Sequence, residues 1–133
     1  MAFVVDASIV ACWALVDERH AVADKALELI RSEEAAAPGL LWFEIRNILV
    51  VNERRKRLTE AATHAFLQRL AVLPILEDRS PDEAEVMRLA RTRKLSVYDA
   101  AYLELARRKK IPLATLDDAL AGAARKEGVG LVR

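Results

Sequence analysis

Four acidic residues recur in one kind of setting: Asp6 in Val4-Val5-Asp6-Ala7-Ser8, Glu44 in Glu44-Ile45-Arg46-Asn47, Asp99 in Tyr98-Asp99-Ala100-Ala101-Tyr102, and Asp117 in Thr115-Leu116-Asp117-Asp118. Asp6 is the lone charge in the opening run MAFVVDASIVACWALV, and Glu44 lies between Leu40-Leu41-Trp42-Phe43 and Ile45. Each acid has a structural use. Asp6 can cap a helix, while Ser96-x-x-Asp99 and Thr115-x-x-Asp118 fit capping boxes. An acid near a helix start, as Glu44 is, gains a few tenths of a kcal/mol from the helix dipole. Together they point elsewhere. Four carboxylates in one cleft repel, which raises their pKa values unless cations enter. Hard divalent ions such as Mg²⁺ or Mn²⁺ prefer such oxygen ligands. No His or Cys accompanies the acids at zinc-like spacing, and His20 and His64 stand alone in polar stretches as surface residues. An acid-lined site with two ions ~3.5–4 Å apart suits in-line hydrolysis of a phosphodiester.

Ser8, two residues after Asp6, and Asn47, one turn after Glu44, can act as donors that orient a carboxylate. Thr115 can do the same, or serve as a cap. The basic runs Arg54-Arg55-Lys56-Arg57, Arg91 to Lys94 and Arg107-Arg108-Lys109-Lys110 could hold a polyanionic strand, or equally be solvated helix ends.

The elements that must position these groups alternate. Ala2 to Val5 is a buried strand and Ile9 to Val16 a helix; a second helix runs from Asp17-Glu18 to Ile30. Ala35-Ala36-Ala37 is a small-residue strand that turns at Pro38. A long helix from Gly39 ends in the first basic run, and Thr59 caps a helix to Leu70. Val72 to Leu76 is a strand interrupted by Pro74. Ser80 caps a helix with Pro81 in its first turn, and Ser96 to Arg108 is another helix. Pro112 to Thr115 is a strand, Asp118 to Arg125 a helix, and Gly128 to Val132 a last strand. This alternation implies an α/β fold with a parallel sheet covered on both faces. Ligands of such sheets sit beyond the carboxyl ends of the strands, where the strand order reverses. Asp6 ends the first strand.

With 133 residues the chain forms about one domain, spanning 1–133. Its 31% charged residues and net charge of +1 exclude both a disordered chain and a strongly basic nucleic-acid coat. The single cysteine, Cys12, cannot form an internal disulfide, which suits the cytoplasm. The opening run is shorter than the ~20 apolar residues of a membrane span, and a central Asp costs roughly 2.5–3.5 kcal/mol there. No Lys or Arg precedes it as a signal peptide requires. No membrane association is expected.

Val5-Asp6-Ala7-Ser8, Glu44-x-x-Asn47-x-Leu49, Tyr98-Asp99-Ala100-Ala101-Tyr102-Leu103 and Leu113-Ala114-Thr115-Leu116-Asp117 resemble the successive motifs of PIN-domain proteins, closest to the VapC-type toxins. The resemblance spans the whole chain in order. It implies a three-layer α/β/α sandwich and a Mg²⁺- or Mn²⁺-dependent endoribonuclease, with Asp6, Glu44, Asp99 and Asp117 as catalytic metal ligands. It also implies an RNA substrate, a homodimer and a cognate antitoxin whose Arg enters the acidic pocket. Trp13 and Trp42 are expected to pack in the core rather than line the antitoxin groove. Where many relatives carry a further acid after the aspartate matching Asp117, this chain has Ala121 and Gly122, with Asp118 as a poor substitute. Two rivals remain. An aspartate-based phosphatase or phosphotransfer domain wants Asp-x-Asp and a late lysine, but the chain has Asp6-Ala7-Ser8 and no lysine between Leu113 and Asp118. A catalytically silent module that binds RNA or protein has no need of four acids.

Overall fold

The computed structural model of the chain describes residues 2–15 and 17–133. The elements run β1 (Phe3–Val5), α1 (Ala7–Ala14), α2 (Ala21–Leu29), β2 (Ala35–Pro38), α3 (Leu40–Arg54), α4 (Glu60–Ala71), β3 (Ile75–Asp78), α5 (Glu83–Arg93), α6 (Val97–Lys109), β4 (Leu113–Ala114) and α7 (Asp118–Lys126). The strands form one parallel sheet in the order β3-β2-β1-β4. Val4 sits opposite Ala36 on one side and Leu113 on the other. The chain leaves β1 for β2 and β3 and then returns to the far side of β1 as β4. The strand order therefore reverses between β1 and β4, beside Asp6.

Each strand forms for a local reason. Phe3, Val4 and Val5 are fully buried, as a β-branched and aromatic run between two layers of helices requires. Ala35, Ala36 and Ala37 have weak strand propensity, yet all three are buried, and their small side chains let helices approach the sheet. Helix α6 lies across β1, β2 and β4 and is backed by α5. Its residues Tyr102 to Ala106 are buried without a break. Helix α1 packs on α2 and α3, which reach β4 and β2. The result is the α/β/α sandwich, with seven helices among the described residues.

Several boundaries depart from the sequence reading. The second helix starts at Ala21, where the His20 ring nitrogen accepts the Val22 amide. Asp17 and Glu18 instead receive the Arg57 guanidinium. Val16, expected to close the first helix, lies outside the described residues. The third strand is Ile75–Asp78, because Val72 and Leu73 still bond back into α4 and Pro74 has no amide to give. Its carbonyl accepts from Ala35 instead. The cap of α5 is Asp82, which accepts from the Glu85 amide at 3.2 Å; Ser80 stands two residues short of it. The expected last strand shrinks to one bridge between Leu113 and Leu131. Trp13 does pack inward, donating to the Ala23 carbonyl at 2.9 Å, whereas Trp42 is 55% exposed. No helix among the described residues is long and apolar enough to cross a membrane.

Candidate active site

The sheet edge where β1 and β4 end is tied together by side chains. Asp6 caps α1, accepting the Ile9 amide at 3.2 Å. Its Oδ1 accepts the Ser8 hydroxyl at 2.6 Å and its Oδ2 accepts the Thr115 hydroxyl. Ser8 Oγ in turn accepts the Leu116 amide at 2.9 Å, and Thr115 Oγ1 the Asp117 amide at 3.0 Å. Two hydroxyls thus fasten the end of β1 to the turn after β4 and aim Asp6. Its carboxyl sits above the usual range because burial penalises the charge; the Ser8, Thr115 and Ile9 bonds pull the other way, and the Asp99 charge adds to the rise.

Glu44 comes to the same place from α3. The Tyr102 hydroxyl of α6 donates to Glu44 Oε1 at 2.6 Å. Burial raises the Glu44 pKa, the Tyr102 bond lowers it, and the charges of Asp99 and Asp6 raise it again. Asp99 lies in the first turn of α6, whose cap Ser96 accepts the Asp99 amide at 3.1 Å. Its carboxyl is raised by burial and then by Asp117, against the Ser96 bond. The charges acting on Glu44 and Asp99 all come from other carboxylates. Asp117 is the most local of the four: exposed, it caps α7 through the Ala119 and Leu120 amides at 2.8 and 3.1 Å. Asp6, Glu44 and Asp99 therefore act on one another, and Asp117 joins through Asp99.

Ser8 and Thr115 both hold Asp6. Asn47 is exposed on α3 and makes no hydrogen bond to the acids among the described residues. Tyr102 was missed by sequence reasoning, although it follows Asp99 by one helical turn and so shares its face. It is 1% exposed, and burial drives its hydroxyl far above the usual phenol range, with the neighbouring carboxylates adding to the effect. It stays protonated as a donor to Glu44.

Two of the basic runs, those that end α3 and α6, lie away from the acids. Arg54 and Arg108 are ten and nine residues along α3 and α6 from Glu44 and Asp99, about 14–15 Å of helix. Arg57, Arg93, Arg107 and Arg108 all form ion pairs. Among the described residues none of the four acids has such a partner.

Among the described residues, no three acidic, His or Cys side chains stand close enough to enclose an ion as they lie. The donor chemistry nonetheless suits a hard divalent cation: carboxylate oxygens from four elements, three with raised pKa values and, among the described residues, no ion-pair partner. The helix starts that carry Asp6, Asp99 and Asp117 offset only part of that negative charge.

The PIN domain family model matches residues 3–126. Ribonuclease VapC3 of Pyrobaculum aerophilum is 33% identical over 124 residues, spanning 91% of this chain and 93% of that protein. Among solved structures, PAE2754 of Pyrobaculum aerophilum superposes with a TM-score of 0.70 at 32% identity, covering 92% of this chain and 87% of its own. The Mycobacterium tuberculosis toxin VapC20, described as cleaving the sarcin-ricin loop, shares the fold with a TM-score of 0.59 at 18% identity, covering 91% of this chain and 94% of its own. With its motifs in order, its sheet in place and nearly its whole length matched, the chain belongs to the PIN domain family and is related to the VapC toxin ribonucleases.

Proposed function

We propose that this chain, acting as one PIN-domain unit over residues 1–133, is a Mg²⁺- or Mn²⁺-dependent endoribonuclease that hydrolyses RNA phosphodiester bonds. The reading rests on one observation: at the edge where the strand order reverses, the charge of Asp99 raises the pKa of both Asp6 and Glu44, Asp6 raises Glu44 further, and Asp117 raises Asp99. Asp6, Glu44, Asp99 and Asp117 would hold the ion. A divalent ion bound there supplies Lewis-acid activation of water and neutralises charge on the scissile phosphate. Ser8 and Thr115 hold Asp6 in one orientation, and Tyr102 does the same for Glu44. Partial burial of the acids strengthens whatever electrostatic contact they make. With Ala121 and Gly122 in place of a further acid, the donor set favours one ion over two. The ribonuclease name of VapC3 supports the reading.

The proposal extends to a toxin of the cytoplasm, a homodimer silenced by a cognate antitoxin. An arginine of that partner can bind the carboxylates bidentately and stand in for the ion's charge. The phosphotransfer alternative is disfavoured because both Asp6 oxygens already accept hydroxyl hydrogens, which blunts a nucleophile. The purified chain should cleave mixed cellular RNA with Mn²⁺, and EDTA or Asp6→Asn should stop it. Cleavage undiminished in both controls sinks the proposal. Expression of the chain alone should arrest growth, and a small adjacent reading frame should relieve the arrest.

A further inference from the structure

The third basic run, Arg91 to Lys94, differs from the other two in what it faces. It closes α5, and Lys94 stands two residues before Ser96, the cap of the helix that carries Asp99. Between the end of α5 and α7 lies a hollow of about 400 Å³, lined by Thr92, Arg93 and Lys94 on one side and by Asp118, Gly122 and Lys126 on the other. Asp118 follows the site residue Asp117, so one end of the hollow adjoins the acids. From there it runs along α7 to Lys126, about 12 Å of helix. Arg93 is anchored, its Nε donating to Glu127 at 2.6 Å. Lys94 and Lys126 are exposed and, among the described residues, in no ion pair. Each lysine stands at a helix end, where a cation offsets the dipole. That use requires neither a shared hollow nor an open floor. The floor is open: a Cβ added at Gly122 would meet nothing within 4 Å, although glycine weakens a helix interior relative to alanine.

Building on the ribonuclease reading, we propose that this hollow is a phosphate-binding site, separate from the four acids, that takes a backbone phosphate of the RNA strand other than the one being cleaved. Lys94 and Lys126 supply two ammonium groups and Thr92 a hydroxyl, while the bare backbone at Gly122 lets the strand come close. A strand brought to four carboxylates is repelled by them, and cations further along its path offset that repulsion. The other hollows lack this combination. At the far end of α6, Lys110 shares its cavity with Asp82, Glu85, Glu104 and Glu127. Between α3 and α4 the lining is chiefly apolar. Asp118 is the single acid lining the hollow on α7, and it opposes the anion that the lysines attract.

The test uses the full chain and three probes: a labelled single-stranded RNA, bis-p-nitrophenyl phosphate as a diester with no second phosphate, and inorganic phosphate. Metal-free RNA binding is read by fluorescence anisotropy across salt, and Mn²⁺-supported hydrolysis by kinetics. Lys94→Gln and Lys126→Gln should each weaken RNA binding several-fold. Each should also flatten the slope of log affinity against log salt by about 0.7, the worth of one phosphate contact on a single strand. Lys94→Arg and Lys126→Arg should keep both affinity and slope. Asp118→Asn should tighten binding, and Gly122→Leu, which fills the hollow, should weaken it without lowering the melting temperature. Hydrolysis of the small diester should stay unchanged in the glutamine variants. Lys25→Gln on α2 controls for overall charge, and a loss there equal to that of the hollow lysines overturns the proposal. So do glutamine variants that keep the parent's affinity and salt slope. Broadening of the ³¹P line of inorganic phosphate that needs both lysines, with RNA affinity unmoved, assigns the hollow to free phosphate and overturns the strand reading. Lysine-dependent RNA binding without any hydrolysis keeps the phosphate site and sinks the nuclease; hydrolysis with lysine-independent binding does the reverse.

Discussion

Carboxylates at the two ends of α6 obey opposite rules. At its start, Asp99, with Glu44 and Asp6 nearby, is raised by burial and by like charge. At its far end, Glu85, Glu127 and Asp78 are held below the usual range, chiefly by hydrogen bonds from Arg88 and Arg108. Glu127 alone meets Arg88, Arg93 and Arg107, at 2.8, 2.6 and 3.3 Å. Arg108 joins buried Glu104 to Asp78, at 2.7 and 2.6 Å. A cavity of about 720 Å³ opens at this second end, lined by Glu85, Glu104, Arg107, Arg108 and Glu127. That hollow is the electrostatically satisfied one. Uncompensated charge, not concavity, is therefore what sets the acid edge apart from the other end of α6.

The sharpest way to break that contrast is to neutralise one acid at each end. Asp99→Asn should lower RNA cleavage by more than about a hundredfold, beyond the loss typical of residues that only support a metal ligand. It should leave the melting temperature equal or higher, since a repulsive charge is removed. Unchanged turnover would end the contrast. Glu127→Ala should do the opposite, leaving cleavage intact while costing about 2 kcal/mol of stability by urea denaturation. That value lies between an exposed ion pair and a buried one, because the arginines remain partly exposed.

A subtler test is Tyr102→Phe, which keeps the ring and deletes the bond to Glu44. Divalent-ion affinity and cleavage should fall about tenfold with little change in melting. A large loss of stability would instead make Tyr102 a core residue whose hydroxyl only needs a partner.

The smallest effects lie in the pH dependence of stability. A carboxyl raised in the folded state stabilises most below its unfolded pKa, and that contribution fades as pH rises through the folded value. The Asp6, Glu44 and Asp99 cluster should therefore make the metal-free protein melt slightly lower as pH climbs from mildly acidic to neutral. Mn²⁺ should abolish that decline. Glu85, Glu127 and Asp78, lowered in the folded state, should lose stability as pH falls below the ordinary carboxylate range. Differential scanning fluorimetry across pH should show two limbs. Asp99→Asn should flatten the neutral one and Glu127→Gln the acidic one.

How much of this was legible in the sequence depends on the range of the interaction. Thr59 and Ser96 as caps, the run of α6 and the place of Asp6 at the end of β1 are local matters. The shifted start of α2 was not, because Asp17 and Glu18 answer to Arg57, about forty residues away. Trp42 was expected inside and stands outside; its neighbour Leu41 takes the inward position on α3. Tyr102 carried a signal in its spacing from Asp99, but nothing near it in sequence names Glu44 as its partner.

The order of residues alone determined the alternation of strands and helices and placed four acids at strand ends and helix starts, since periodicity and capping act within a turn or two. Only the tertiary structure decided which charges would be left unmatched. The bonds that settle it, Tyr102 to Glu44 across 58 positions and Thr115 to Asp6 across 109, depend on strand order and helix packing. The same packing brought arginines to the carboxylates at one end of α6 and, among the described residues, into no ion pair with those at the other.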